Sequence, residues 1–274
     1  MENWDNKQIK QWDSAATDYS CSLLTPHLKT SDMVFANYVD KTDKSRLSKI
    51  LKHLNLADTL KQKELLDVGC GTGRNSSWFA NKYNVSVTGI DISPNMLSLA
   101  DKQKKELQLD KVNYKLSSFK EFVSTKKYNI ILFFGLLSYI IDLKEATDKI
   151  NSLSTDGTII IVCDVIANKK EIKKDNIIFH SISAYKDFFN SAGFELIYSG
   201  LANSPQVLTF LYSKLPASLQ NFVVIKRLFH FSLEIYYVLD TPLFKIEQWS
   251  SAFHLRLFSR QKRFMIFKKQ GGYS

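Results

Sequence analysis

The stretch Glu64-Leu-Leu-Asp-Val-Gly-Cys-Gly-Thr-Gly-Arg74 decides the fold of this 274-residue chain. Leu65 to Val68 is a short apolar run interrupted only by Asp67, a pattern typical of a buried parallel strand. Three alternating glycines follow, Gly69, Gly71 and Gly73, and the residues from 75 to 83 favour a helix. A strand, a glycine turn and a helix predict the first half of a βαβ unit. In such a unit the turn and the free N–H groups of the helix start face a ligand.

The glycine spacing indicates which ligand. A dinucleotide-binding fingerprint has its third glycine one residue later, as GxGxxG, where a pyrophosphate sits on the helix N-terminus. Here the pattern is GxGxG, and Asp67 precedes it at a position that suits a donor or a cation better than a phosphate. The second strand, Val85 to Asp91, ends in an acid about 20 residues after the first glycine, where ribose hydroxyls lie in such units. The pattern therefore predicts a nucleoside that carries a positive charge.

At these residues the chain resembles the class I S-adenosylmethionine-dependent methyltransferases. Leu65 to Gly73 is similar to the first motif of that family, and Gly89 to Leu97 is similar to the second. The resemblance extends over about Lys44 to Gly200 and the final strand. It implies an α/β fold, with a doubly wound, mostly parallel seven-stranded sheet and an antiparallel last strand, and S-adenosyl-L-methionine as the cofactor. A tight glycine turn without a ligand is the alternative, which the pairing of two motifs disfavours.

The resemblance also implies a set of cofactor-binding residues at the ends of the first four strands and in the N-terminal arm. They are Tyr19, Asp67, Gly69, Cys70, Gly71, Gly73, Asp91, Ile92, Met96, Ser118, Phe119 and Phe134. Tyr19 closes a stretch similar to the W-x-x-x-A-x-x-Y element that precedes many of these domains; an aromatic anchor of an N-terminal helix is the alternative. The family usually has an acid after the third strand, where this chain has Ser117-Ser-Phe119, although a serine hydroxyl can still bond an adenine amine.

The later strands are predicted at Tyr128 to Phe134, Thr158 to Asp164, Phe194 to Tyr198 and Arg263 to Lys268. The family normally joins its last two strands in a hairpin, but about sixty residues separate them here, which is far beyond an ordinary loop. We therefore divide the chain into four parts. They are an N-terminal cap (1–43), the cofactor-binding core (44–200), a helical basic and aromatic acceptor-binding insert (201–261), and the last core strand with a tail (262–274).

Positive charge is concentrated in the last quarter of the chain. The net charge is +10 overall, and the residues from Leu201 onward contain ten Lys or Arg against three Asp or Glu. This asymmetry indicates an anionic partner, such as nucleic acid, phospholipid headgroups or a phosphorylated acceptor. We expect a small-molecule, glycan or lipid-linked anionic acceptor, with peripheral contact to an anionic membrane, and nucleic acid is the less favoured partner. A helical subdomain with aromatic core and solvated charges is the alternative.

Methyl transfer from a sulfonium is an in-line displacement, which an enzyme assists by positioning the acceptor and removing its proton. No universal base exists, and the candidates are His27, His180 and Asp164. His180 is preferred as a catalytic residue because histidine exchanges protons near neutral pH and because its loop follows the fifth strand. Tyr139 follows the fourth strand and is expected to line the reaction centre, since ligands bind at the carboxyl ends of parallel strands. No metal site is expected.

Composition and the absence of certain motifs narrow the expected location of the protein and the class of its acceptor. With 45% apolar and 23% charged residues, no basic and apolar N-terminal leader and no membrane-length apolar run, a cytoplasmic protein is expected, at most peripheral to the inner face of the membrane. Neither an Asn/Asp-Pro-Pro-aromatic sequence nor a Pro-Cys nucleophile is present, which disfavours nucleic-acid amino and cytosine C5 methylation. The sequence thus predicts methylation of an oxygen, or less favourably a nitrogen, of a small-molecule, sugar or lipid-linked acceptor. An RNA-directed methyltransferase and a non-catalytic partner protein are the rivals.

Overall fold

The computed structural model describes residues 9–14, 16, 33–139, 143–167, 171–174, 177–202, 225, 227–229 and 260–271. Tyr19, His27 and nearly all of the predicted insert lie outside these residues. The described residues include helical residues 9–14, 225 and 227–229 and the helices α1 Met33–His53, α2 Arg74–Tyr83, α3 Pro94–Glu106, α4 Leu143–Leu153 and α5 Ile182–Ser191. The strands are β1 Glu64–Val68, β2 Ser86–Asp91, β3 Val112–Leu116, β4 Tyr128–Phe134, β5 Ser154–Ala167, β6 Ile172–Lys174, β7 Ile177–Phe179, β8 Phe194–Leu201 and β9 Arg260–Lys269.

Seven strands form one sheet in the order β3-β2-β1-β4-β5-β9-β8, and β6 and β7 form a separate hairpin. The five strands from β3 to β5 in this order pair in parallel, whereas β9 is antiparallel to both of its neighbours. The predicted doubly wound sheet with an antiparallel last strand is therefore confirmed. Its central strands are mostly apolar because helices cover both faces of the sheet.

Two apolar cores hold the sheet between its helices. On one face Phe133 and Phe267 pack with Tyr185 and Phe189 of α5. On the other face the core contains Leu47 of α1, Phe79 of α2 and apolar residues of β1, β4, β5 and β9. Burying a large apolar side chain fully contributes about 1.5–3 kcal/mol, so these two layers fix the strand register. The polar groups of the site described below lie at the carboxyl edge of the sheet.

The first long helix crosses a predicted boundary. The division between the N-terminal cap (1–43) and the core (44–200) lies inside α1, which begins at Met33. Two acids in the first half of α1 form ion pairs. Asp40 pairs with Lys44 at 2.7 Å and with Arg74, and Asp43 accepts a hydrogen bond from Lys262 at 2.5 Å. Hydrophobic periodicity cannot reveal such pairs.

The insert leaves and rejoins the sheet at the carboxyl edge. In the register of the sheet Arg263 pairs with Leu201 of β8 on one side and with Asp164 of β5 on the other. Because β5 ends at this edge, the chain on both sides of the insert lies beside the carboxyl ends of the parallel strands. Among the helices that the structure describes, none is long and apolar enough to cross a membrane. The hairpin of β6 and β7, between β5 and α5, was not predicted.

Candidate functional site

The glycine loop after β1 is closed by backbone hydrogen bonds to β2. The N–H groups of Gly69 and Cys70 donate to the Ile90 carbonyl at 2.8 and 3.0 Å, and the Gly73 N–H donates to the Cys70 carbonyl at 3.0 Å. The φ angles of the three loop glycines lie between 54° and 75°, a left-handed conformation that costs little only for glycine. The predicted glycine positions are therefore required by the path of the backbone.

The underside of the loop is filled by Tyr114 of β3. A Cβ atom at Gly73 would lie 2.2 Å from the Tyr114 hydroxyl oxygen, and one at Gly89 would lie 2.6 Å from its ring. By contrast, a Cβ at Gly71 would meet no atom within 4 Å. The loop is thus packed from below and open at Gly71, on the side where Asp91 lies.

Asp91, at the end of β2, faces the open side of the loop. One of its carboxylate oxygens accepts the Gly71 N–H at 2.8 Å, and the other accepts the Ser93 N–H at 2.9 Å. Burial raises the pKa of Asp91, and these backbone bonds partly oppose the rise because they stabilise the charged form. A carboxylate has about four acceptor positions, so Asp91 can still accept a hydrogen bond from a ligand hydroxyl.

Asp67, at the end of β1, is buried below the same loop. Its carboxylate accepts a hydrogen bond from the Ser76 hydroxyl at 2.6 Å. Burial raises the pKa of Asp67 to about 6, since removal from water disfavours the charged form, and Asp91 adds to the rise. A nearby cation would reverse this effect. A positively charged ligand is compatible with these electrostatics, and the predicted role of Asp67 in cofactor binding stays a prediction.

The other predicted cofactor residues lie at the ends of the next strands. Met96 is buried in α3, and Ile92 is half-buried in the turn before it. The Ser118 hydroxyl donates to the Glu121 carboxylate at 2.8 Å and accepts the Glu121 N–H, which leaves one acceptor position. Phe119 and Phe134 are half-buried, with edge contacts to Phe133 at 5.5 Å and to Phe264 at 6.1 Å respectively. No contact in the described residues tests their predicted roles, which stay predictions.

Tyr139 ends a short 3-10 turn, Leu137–Tyr139, that follows β4. The turn is anchored by Asp164 of β5, whose carboxylate accepts the Ser138 N–H at 3.1 Å and the Ser138 hydroxyl at 3.2 Å. Burial raises the pKa of Asp164 to about 6 and that of Tyr139 to about 12, and Asp164 adds to the latter. The Tyr139 ring also makes an edge contact with Trp12 at a centroid distance of 5.7 Å.

His180 follows β7 and is 4% exposed. Its Nδ1 lies 2.5 Å from a carboxylate oxygen of Glu171, and its ring makes an edge contact with Tyr185 at 5.4 Å. The Ala167 N–H at the end of β5 donates to the His180 carbonyl at 2.9 Å. The structure thus places His180 beside the end of β5, as its prediction required, through a hairpin that the sequence did not reveal.

The contacts of Asp13 in the N-terminal segment were not predicted. Asp13 accepts hydrogen bonds from the Ser93 hydroxyl and, at 3.3 Å, from the Asn95 N–H, at the start of α3. Its neighbour Trp12 reaches Tyr139 after β4. The segment therefore contacts the elements that follow both β2 and β4. The signal was available, since Asp13 lies within the Trp12 to Tyr19 stretch, but only the aromatic residues of that stretch were considered. Elsewhere in the described residues, no three His, Cys, Asp or Glu side chains cluster as metal ligands would.

Comparisons with known proteins agree with this geometry. Residues 60–202, just over half of the chain, match the family model described as a methyltransferase domain. Over 108 residues the chain is 33% identical to the ubiquinone biosynthesis O-methyltransferase of Coxiella burnetii, and the match covers 39% of this chain and 45% of that protein. The chain therefore spans less than half the length of this curated relative.

Two solved structures share the fold. A putative sarcosine dimethylglycine methyltransferase from Galdieria sulphuraria superposes with a TM-score of 0.63 at 18% identity, covering 97% of this chain and 98% of that one. The magnesium protoporphyrin IX methyltransferase of Synechocystis PCC 6803, solved with bound S-adenosylmethionine, has a TM-score of 0.57 at 16% identity and covers 74% and 92% of the two chains. At these identities the likeness concerns the fold.

A pair of glycine substitutions tests the packing below the loop. Gly73 and Gly157 both have a φ of 75°, but a Cβ at Gly157 would meet no atom within 4 Å. Gly157→Ala is therefore expected to cost about 1–2 kcal/mol of backbone strain. Gly73→Ala should cost about 1–3 kcal/mol more, because Tyr114 must move. Urea unfolding measures both, and equal losses would contradict the close approach of Tyr114.

Asp67 predicts a pH dependence of stability. Its pKa is raised from 3.8 to about 6 in the folded protein, so the protonated group contributes stability below about pH 4 that is lost as the pH rises through 6. Asp67→Asn keeps an acceptor for Ser76 but cannot ionise. Its stability relative to the wild type should therefore rise by up to about 3 kcal/mol between pH 4 and pH 7. Urea unfolding midpoints at several pH values measure this, and a constant difference would contradict the ionisation of a buried Asp67.

Proposed function

Because the chain belongs to the family of methyltransferase domains, we propose that it transfers a methyl group from S-adenosyl-L-methionine to an oxygen, or a nitrogen, of a small-molecule, sugar or lipid-linked acceptor. The observation that carries the proposal is the Asp91 carboxylate, held by the Gly71 and Ser93 N–H groups next to the glycine loop. That arrangement fits the two hydroxyls of a ribose.

The site fits the cofactor in three further respects. The space above Gly71 is open, so a nucleoside can approach the loop backbone closely. Asp67 supplies buried negative charge below the loop, which suits the sulfonium and amino groups. The rings of Phe134 and Tyr139 lie at or after the end of β4, where aromatic faces stabilise a cation. When bound, the cofactor supplies an electrophilic methyl group, and the protein holds the acceptor in line with it.

The acceptor is proposed to be anionic. Three cations, Lys44, Arg74 and Lys262, cluster around Asp40 and Asp43 where α1 meets the start of α2 and of β9. Among these five groups one positive charge is in excess. The insert, which is basic and aromatic in sequence, joins the sheet next to Lys262. A phosphate or carboxylate on the acceptor would complement the positive charge of both the cluster and the insert. Peripheral contact of the insert with an anionic membrane belongs to the same proposal.

Transfer of radiolabelled methyl from S-adenosylmethionine to fractions of a cell extract tests this function. Label is expected in the polar-lipid, nucleotide-sugar or small-molecule fraction. Asp91→Ala removes two charge-assisted hydrogen bonds of about 1.5–3 kcal/mol each, so it should weaken cofactor binding and transfer at subsaturating cofactor at least about 100-fold. The control Asp58→Ala alters an exposed pair with Lys61 and should leave transfer unchanged.

Other outcomes would favour the rivals. Label that appears in RNA and is removed by ribonuclease would support an RNA-directed enzyme. Binding that also falls steeply with salt, as phosphate contacts require, would strengthen that interpretation. Cofactor binding without transfer to any fraction would support a non-catalytic partner protein. Failure to sediment with vesicles of anionic lipid would contradict the membrane contact alone.

A further inference from the structure

The pairing of His180 with Glu171 leaves one ring nitrogen of a buried histidine without a partner. Nδ1 lies 2.5 Å from the Glu171 carboxylate, whose side chain is 44% exposed, whereas the His180 side chain is 5% exposed. Nε2 is fully buried and has no hydrogen-bond partner among the described residues. Glu171 therefore binds the histidine on its solvent side, and the buried Nε2 keeps an unused hydrogen-bonding position.

The Glu171 carboxylate determines which nitrogen carries the proton. An ionised carboxylate only accepts hydrogen bonds, so Nδ1 must donate to it. In the neutral ring the lone pair then lies on Nε2, inside the protein. A buried acceptor without a donor is unfavourable, so the arrangement suits a site where a ligand hydroxyl supplies the donor. A base oriented by a carboxylate on its other nitrogen is a recurring catalytic arrangement.

The surroundings place this pair next to the turn that follows β4. The turn that carries Tyr139 packs against both β7 and β5, and His180 directly follows β7. Two other titratable groups face the histidine from the packed elements: Asp164 of β5 and Tyr185 of α5. Tyr139 lies in the adjoining turn. Asp164 already accepts three donors, from Ser138 and Val165.

We propose that His180, oriented by Glu171, is the base that takes the proton of the acceptor, and that the acceptor is therefore an alcohol or a phenol. The inference rests on the proposed methyl transfer. The O–H bond of the acceptor breaks and its proton moves to Nε2, while the oxygen bonds the methyl carbon. The C–S bond breaks and the sulfur keeps that electron pair, which leaves a neutral thioether. An amine in its neutral form attacks with its own lone pair and needs no such base. Glu171 is a positioning residue.

The tautomer of His180 tests the arrangement without any acceptor. In the full chain labelled with ¹⁵N-histidine, the His180 ring signals are identified by their disappearance in His180→Gln. The wild type is expected to carry the proton on Nδ1. Glu171→Gln should shift the population toward Nε2–H, whereas the control Glu106→Gln, on an exposed position of α3, should not. A proton on Nε2 in the wild type would overturn the proposal.

Transfer rates then separate this inference from the proposed function. The probes are a phenol and the aniline that differs from it only in its –NH2 group. His180→Gln should lower kcat for the phenol by about 10²–10⁴-fold, and Glu171→Gln by less, with KM and the affinity for S-adenosylhomocysteine unchanged in both. Glu171 is half exposed, so its substitution keeps the fold. Failure of the wild type to bind S-adenosylhomocysteine would contradict the proposed function. If His180→Gln methylated the phenol as fast as the wild type, or if the wild type methylated only the aniline, the assignment of His180 as the base would be overturned. The proposed methyl transfer would still stand.

Discussion

One hydrogen bond, from the Gly71 N–H to the Asp91 carboxylate, joins the glycine loop after β1 to the end of β2. The two groups meet because β1 and β2 are parallel neighbours that end at the same edge of the sheet. The bond also holds a buried carboxylate in its charged form at a position where hydroxyl donors can approach it. The loop conformation, the packing of Tyr114 beneath it and the orientation of Asp91 therefore depend on one another.

The same edge collects the other polar groups of the core. The sheet interior is apolar on both faces, so a side chain such as Asp67 or Asp164 is found where a strand ends. Burial raises the pKa of both carboxyls to about 6. Each is held by a nearby donor, Ser76 or Ser138, which offsets part of the desolvation. The edge thus carries two buried carboxyls with raised pKa values, Asp67 of β1 and Asp164 of β5. A cation bound nearby would stabilise the charged form of either one.

Sequence reasoning succeeded where the determinants are local. The apolar strands and the glycine spacing each depend on a few consecutive residues, and the fold confirms the strands. It failed where partners are distant in the chain. Asp13 meets Ser93 across 80 residues, and Asp43 meets Lys262 across 219. Such pairs leave no periodic pattern.

The same limit applies to the candidate site. The residues of the glycine loop could be named because their backbone conformation demands glycine. The partner of His180 could not, since Glu171 lies in an unpredicted hairpin and a lone acidic residue carries no signal of its neighbour.

Thermal unfolding with S-adenosylhomocysteine, and separately with NAD, tests the central claim that the loop and Asp91 bind a nucleoside rather than a dinucleotide. A ligand at about 100 times its Kd stabilises the native state by about 2.7 kcal/mol, which shifts Tm by a few degrees. We expect that shift with S-adenosylhomocysteine, its loss in Asp91→Ala, and none with NAD. A shift with NAD alone would contradict the account of the site.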